Sequence, residues 1–204
     1  MSNEAVRDFF DSKASRWDEL ANDDLVRVRS LFERIPVKVG DRVLDCACGT
    51  GVVTGLLRDM CQAEVIGMDI APRMIEIAKR KYEGREGISF QVGDFLEMRN
   101  GRFDLIVIYN AYPHFVHPEE LADALARNLN DGGRFALVHS IGRKALEGHH
   151  QGLNAAISRD IGSPEEEARF FEGRFHMDVL EEGVDFYLVT GWNIRFTHAK
   201  NIDL

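Results

Sequence analysis

Hydrophobic positions recur along this chain with two different periods, and the alternation between them predicts its architecture. Val6, Phe9 and Phe10, then Leu25, Val28, Leu31, Phe32 and Ile35, fall at helix spacing, so residues 1–35 are expected to be helical, with Trp17 in a polar stretch between. After the Gly40-Asp41 turn, an apolar run from Val43 to Cys48 reads as a strand. It enters a glycine-rich turn and then a helix-like stretch from Val52 to Met60. The unit repeats as a strand from about Glu64 to Met68, a helix opened by Pro72 and running to Tyr82, and a strand from Ile88 to Val92. Phe103 to Tyr109 and Arg134 to Val138 read as buried strands. They flank a helix from about Pro118 to Asn130 that Asp131-Gly132-Gly133 ends. Such alternation implies parallel strands joined by crossover helices on both faces of one sheet.

The tail has a different period. Ser163 and Glu166 have capping-box spacing for a helix to about Glu172, and Phe175 to Leu180 and Val184 to Thr190 read as strands parted by Glu181-Glu182-Gly183. So short a link permits only an antiparallel hairpin. The expected fold is therefore α/β, a doubly wound and mostly parallel seven-stranded sheet ending in an antiparallel hairpin. It is expected to form one domain over residues 1–204, with 1–35 as a helical cap and 141–162 as an insert.

Composition narrows the partners. A 45% hydrophobic and 29% charged chain is of globular type, and no apolar run is long enough to cross a bilayer. With no charged-then-apolar leader either, the expectation is a cytoplasmic protein without a membrane partner. Three cysteines between Cys46 and Cys61 make neither a disulfide framework nor a zinc site. A net charge of −9 opposes a phosphate backbone, which makes nucleic acid a disfavoured partner.

The chemistry concentrates where the first strand meets its helix. In Val43-Leu44-Asp45-Cys46-Ala47-Cys48-Gly49-Thr50-Gly51, a buried strand runs into Gly-x-Gly, which lets a ligand approach the backbone and meet its amide N–H groups. Alone, that pattern also describes a tight turn with no ligand. Asp69 changes the balance, because it stands twenty residues after Gly49 at the end of the second strand, where a carboxylate accepts both hydroxyls of a ribose. Its alternative role is to cap the helix near Pro72. A nicotinamide dinucleotide would need a third small residue where this chain has Thr54.

The Asp45 to Gly51 segment resembles motif I of the class I S-adenosylmethionine-dependent methyltransferases. Met68-Asp69-Ile70-Ala71-Pro72-Arg73-Met74 is similar to that family's ribose-and-adenine segment, Gly93-Asp94-Phe95 to its adenine edge, and Asp104 to Tyr109 to its fourth strand. The resemblance covers roughly residues 40–192 and includes the final hairpin. It implies S-adenosylmethionine as cofactor and a wall formed by Asp45, Cys46, Ala47, Gly49, Thr50, Gly51, Asp69, Ile70, Met74, Gly93, Asp94, Phe95 and Tyr109. Asp45 would hold the ammonium through water or backbone, Gly49 and Gly51 would leave room for the carboxypropyl arm, and Asp69 would take the ribose. Asp94 would accept from the adenine amino group, with Ile70, Met74 and Phe95 on the ring faces. For those apolar residues the competing role is ordinary core. Cys46 and Cys48 depart from the pattern. They are expected to be small buried residues, with metal or arsenic ligation as the alternative.

The leading Phe9-Phe10-Asp11 through Arg16-Trp17-Asp18 resembles the small-molecule, quinone-methyltransferase-like branch. There Trp17 and Phe10 would cover the sulfonium, unless they merely pack on the core. The resemblance implies transfer of a methyl group to an oxygen, nitrogen or sulfur of a small-molecule acceptor. A protein or tRNA acceptor, or a non-catalytic cofactor-binding subunit, is the alternative. Asn110 to Tyr112 does not spell the Asn-Pro-Pro-aromatic motif of the amide and adenine N-methylating branch. Tyr112 and His114 follow the fourth strand and His139 the fifth, which suggests that they converge at the carboxyl edge, with His139 or His114 orienting the acceptor or taking its proton. His149-His150, in the insert, would close over it as part of a lid, or bind a metal with His114 or His117.

Overall fold

Parallel pairing organises the molecule, as the alternating periods require. The computed structural model describes residues 3–20, 24–35, 37–150 and 154–194, apart from the side chains of 20, 25 and 147–150. Its sheet has seven strands: β1 Val43–Cys46, β2 Val65–Asp69, β3 Ile88–Val92, β4 Phe103–Tyr109, β5 Leu129–His139, β6 Phe175–Glu182 and β7 Tyr187–Asn193. They lie in the order β3-β2-β1-β4-β5-β7-β6. β1 to β5 are parallel, and β7 enters antiparallel between β5 and β6. The doubly wound sheet with its antiparallel end is thus the one expected. The order reverses between β1 and β4, and a crevice lies beyond their carboxyl ends.

The helices are α1 Glu4–Lys13, α2 Trp17–Leu20, α3 Leu25–Phe32, α4 Thr54–Cys61, α5 Pro72–Lys81, α6 Pro118–Asn128, α7 Arg143–His150 and α8 Pro164–Ala168. Their apolar stripes cover both faces of the sheet. Leu121, Leu125 and Phe171 meet Phe103, Ile106 and Phe135 on one side, while Val28, Phe32 and Leu57 meet Val43, Leu105 and Val107 on the other. β1 and most of β4 are buried on both faces, which is why they read as unbroken apolar runs. No helix among the described residues is long and apolar enough to cross a membrane.

Three boundaries differ from the sequence reading. Asp131-Gly132-Gly133 does not simply end α6. The segment lies within β5 at an irregularity where pairing with β4 jumps from Leu129 opposite Phe103 to Arg134 opposite Leu105. A bulge and a helix stop draw on the same glycine chemistry, so sequence does not separate them. The final hairpin turns at 183–186, two residues later than expected, because β6 extends through Glu181 and Glu182 to pair with Leu188 and Tyr187. Ser163 and Glu166 do form the reciprocal capping box, on a helix shorter than expected.

Candidate functional site

The crevice deepens into a cavity of about 440 Å³. Its floor is the carboxyl edge of the sheet: Asp45 to Gly49 after β1, Asp69 and Ile70 after β2, Gly93 to Leu96 after β3, Tyr109 to Ala111 after β4, and Ser140 and Ile141 after β5. Backbone strain gathers here. Ala47 (φ 56°) and Asn110 (φ 51°) take left-handed conformations just past β1 and β4, where a side chain costs energy. The turn at Asn110 is held by its own amide, whose Oδ1 accepts from the Ser140 N–H and whose Nδ2 donates to Ser140 Oγ.

Three carboxylates face this space. Asp69 is clamped: Oδ2 accepts from the Gly49 N–H at 2.8 Å and Oδ1 from the Ala71 N–H at 2.9 Å, so the residue ties the glycine turn to the start of α5. The N-cap of α5 is Ala71, and the Asp69 side chain is not that cap. Burial pushes the Asp69 carboxyl up, against the pull of the two N–H groups. Asp94 accepts from the Leu96 N–H and from the Asn3 side-chain amide at 2.8 Å. Asp45 differs, because Thr54 Oγ1 donates to Oδ2 while Oδ1 is buried without a hydrogen-bond partner. Burial lifts its carboxyl to about 7, opposed by Thr54 and reinforced by Asp69.

An orphaned carboxylate oxygen calls for a donor or a cation. Gly49, with φ +54°, leaves the backbone open beside it. A Cβ there would lie 3.1 Å from the Trp17 indole nitrogen. A ligand with an ammonium group and a nucleoside therefore fits the residues present: the ammonium at Asp45, ribose hydroxyls at Asp69, an exocyclic amine at Asp94, and apolar walls from Ile70, Met74 and Phe95. Cys46 and Cys48 also line the cavity. Burial and then the neighbouring carboxylates hold both thiols well above their ordinary value. Protonated thiols make a small apolar wall and poor metal ligands.

The N-terminal segment closes the top. Val6, Phe10 and Trp17 line the cavity, and the Phe10 ring stands edge-on between Trp17 at 5.4 Å and His114 at 4.7 Å. Thr50 lies outside the cavity and donates to Asp18, whose carboxylate also accepts from Lys81 at 2.8 Å; the glycine turn is thereby fastened to this segment. Gly51, with φ +80°, faces Tyr82 and Phe90 on the far side. Thr50 and Gly51 thus shape the turn without lining the space.

The acceptor residues expected from sequence divide. His114 lines the cavity, and its Nδ1 lies 2.9 Å from the Ile157 carbonyl. A carbonyl only accepts, so Nδ1 carries a proton. Tyr112 and His139 are fully buried and do not line the cavity. The Tyr112 hydroxyl donates to Glu167 while the Arg159 guanidinium stacks on its ring, and His139 packs edge-on against Tyr187 across the β5–β7 pair. The expected convergence of all three rings therefore gives way to His114 alone, since a 3-10 turn at Tyr112–His114 sends successive side chains in different directions. The side chains of His149 and His150 lie outside the described residues. Sequence reasoning missed Asn3, Val6, Phe115, Val116, Ile141 and Leu146, which line the cavity; nothing in their local pattern marks them as more than helix or loop apolar residues.

Fold and cavity together define a binder of a nucleoside-bearing cofactor at the switch point of a doubly wound sheet. A methyltransferase domain family matches residues 43–133. Over 132 residues the chain is 33% identical to a magnesium-protoporphyrin O-methyltransferase of Rhodobacter capsulatus, covering 56% of this chain and 58% of that protein. It is 30% identical over 140 residues to a demethylmenaquinone methyltransferase of Clavibacter sepedonicus, covering 65% and 56%. It therefore spans little more than half the length of these relatives. In structure it is similar to a Haloferax volcanii putative methyltransferase solved in complex with the Trm112 methyltransferase activator, with a TM-score of 0.78 over 95% of this chain and 99% of that one at 23% identity. Residues 43–133 thus match a methyltransferase domain, and the fold is that of the class I S-adenosylmethionine-dependent methyltransferases.

Proposed function

We propose that this protein transfers a methyl group from S-adenosylmethionine to an oxygen, nitrogen or sulfur atom of a small molecule. The observation that carries the reading is the cavity itself, which joins the three carboxylates to an apolar end beside His114 under a cover of aromatic side chains. When bound, S-adenosylmethionine supplies an electrophilic methyl carbon on a positively charged sulfur. Asp45, Asp69 and Asp94 would hold the ammonium, the ribose and the adenine amine. Phe10 and Trp17 would exclude water and set aromatic faces toward the positive charge. His114, with Nδ1–H committed to Ile157, would take the acceptor's proton or fix its orientation. Alignment and dryness would contribute most of the rate, since the displacement itself needs no covalent help from the protein.

Calorimetry tests the cofactor. S-adenosylmethionine and S-adenosylhomocysteine are expected to bind and NAD is not; NAD binding without a response to S-adenosylhomocysteine overturns the reading. A screen of small acceptors, peptides and tRNA with labelled cofactor tests the acceptor class. With the acceptor in hand, His114→Ala is expected to lower turnover roughly 10²-fold or more with cofactor affinity retained. Full turnover in that variant would leave alignment alone as the source of catalysis.

A second reading concerns assembly. The similarity to the Haloferax protein over nearly the whole of both chains favours an activating protein as a partner of this chain too. Affinity purification of the full chain from its native cells checks it: a stoichiometric partner that raises activity supports this reading, and a solitary, fully active chain removes it.

A further inference from the structure

The glycine turn beside the cavity is braced from behind. Val53, the N-cap of α4, makes no side-chain cap to the first N–H groups of that helix. The hydroxyl of Tyr82, at the C-cap of α5, reaches them instead. It accepts from the Gly55 N–H at 3.2 Å and donates to the Gly51 carbonyl at 2.7 Å, so one oxygen joins the end of the turn to the start of the helix. Burial pushes the Tyr82 phenol above its ordinary value, and it stays a donor through the neutral range.

Two glycines make way for this side chain. A Cβ on Gly51 would lie 2.9 Å from the Tyr82 ring, and one on Gly55 would lie 3.0 Å from the hydroxyl and 2.7 Å from the Arg85 guanidinium. Glycine is a poor helix former, so its place in the first turn of α4 follows from that close approach. Between the two glycines stands Thr54, whose hydroxyl donates to Asp45 Oδ2 and thereby sets the direction of the unpartnered Oδ1. The neighbouring Lys81 fastens the same turn, donating to Thr50 Oγ1 at 3.3 Å and to Asp18 at 2.8 Å.

From this arrangement we infer that Tyr82 is a positioning residue for the amino acid end of the cofactor. It does not line the cavity; it holds Gly51 and Gly55 so that Thr54 presents Asp45 Oδ1 to the ammonium. The nucleoside end has fasteners of its own, since Asp94 accepts from Leu96 and Asn3, and Asp69 from Ala71. The inference rests on the reading that places the ammonium at Asp45 and the ribose and adenine amine at Asp69 and Asp94.

The test is calorimetric titration of the full chain at pH 8, above the value of about 7 at which Asp45 gives up its proton. It compares S-adenosylhomocysteine with 5′-methylthioadenosine, which keeps the nucleoside and lacks the amino acid. Tyr82→Phe retains the ring against Phe90 and removes only the hydroxyl. It is expected to weaken S-adenosylhomocysteine about three- to tenfold and to leave 5′-methylthioadenosine within about twofold of the parent. Gly55→Ala is the second variant, because its methyl group displaces the hydroxyl in a chain with an intact Tyr82. The same split between the two ligands is expected, with a melting temperature near that of the parent. Unchanged S-adenosylhomocysteine affinity in either variant overturns the inference, as does a loss shared equally by both ligands. Asp45→Asn is the reference for the underlying reading. Should S-adenosylhomocysteine ignore that substitution, or should either ligand fail to bind the parent chain, the placement of the cofactor falls and the inference with it.

Discussion

Asp45 carries the sharpest consequence of burial. Its carboxyl holds a proton up to about 7 in the folded protein against an ordinary 3.8, chiefly because burial penalises the charge. In the free protein the protonated form is therefore the stabilising one: its contribution is complete below 3.8 and is lost as pH rises toward 7. A bound ammonium reverses that preference, because it needs the ionised form at the unpartnered Oδ1. Affinity for S-adenosylhomocysteine is expected to rise with pH through about 7, by up to tenfold per unit below it, and Asp45→Asn should flatten the profile. A calorimetric pH series on both proteins decides this. Asp69 has two duties, since its carboxylate already clips Gly49 to Ala71. Asp69→Ala is expected to lower the melting temperature and to weaken S-adenosylhomocysteine by something on the order of 1–3 kcal/mol. Lost stability with unchanged binding would make it a loop clip and nothing more.

At the scale of elements, α1 is the moving part to test. It reaches the rest of the molecule through a few contacts: Asn3 on Asp94, Phe10 between Trp17 and His114, and Asp11 on the Arg73 backbone N–H. Each aromatic pair adds roughly 0.5–1.5 kcal/mol beyond its buried area. Phe10→Ala is thus expected to speed release of S-adenosylhomocysteine several-fold in stopped-flow chasing while leaving the sheet's stability near that of the parent. An unchanged release rate would make α1 a passive cover. β5 makes the opposite point about elements, because its irregularity at Asp131-Gly132-Gly133 lets the strand start early beside Phe103 and still finish at His139 in register with Tyr187.

Across the whole molecule, the insert after β5 is tied to the turn after β4 by a buried polar cluster. Arg159 pairs with Glu167, Glu167 accepts from Tyr112, and the Arg159 N–H donates to the Pro113 carbonyl. Burial raises the Glu167 carboxyl, but hydrogen bonds from Arg159, Tyr112 and the Gly162 N–H outweigh it and leave it below its ordinary 4.5. Its contribution to stability is therefore present above 4.5 and lost as pH falls through the lower folded value. Glu167→Ala strands a half-buried guanidinium and should cost roughly 1–3 kcal/mol, read as a lowered denaturant midpoint. Because His114 Nδ1 is held by Ile157 in the same insert, that variant should also lose acceptor binding before cofactor binding. Intact stability would show the cluster to be solvated and dispensable.

The alternation of strands and crossover helices, the antiparallel end and the acidic residues at the strand ends were legible in the sequence, because each is encoded locally. A strand buried on both faces must be apolar throughout, a glycine turn must carry glycine, and an acid at a strand end keeps its place relative to that turn. Asp45, Asp69, Asp94 and Phe95 accordingly line the cavity where the motif spacing puts them. The acceptor end was not legible. Tyr112, His114 and His139 look alike in sequence, just past or at the end of a strand, yet two point into the core and one into the cavity. One residue of rotation in a 3-10 turn decides Tyr112 against His114, and strand parity against Tyr187 decides His139. Val6, Phe10, Ile141 and Leu146 reach the same space from segments far apart in the chain. Local sequence determines which elements form and what their ends can bind, whereas the walls of a pocket shared by distant segments exist only once packing has brought those segments together.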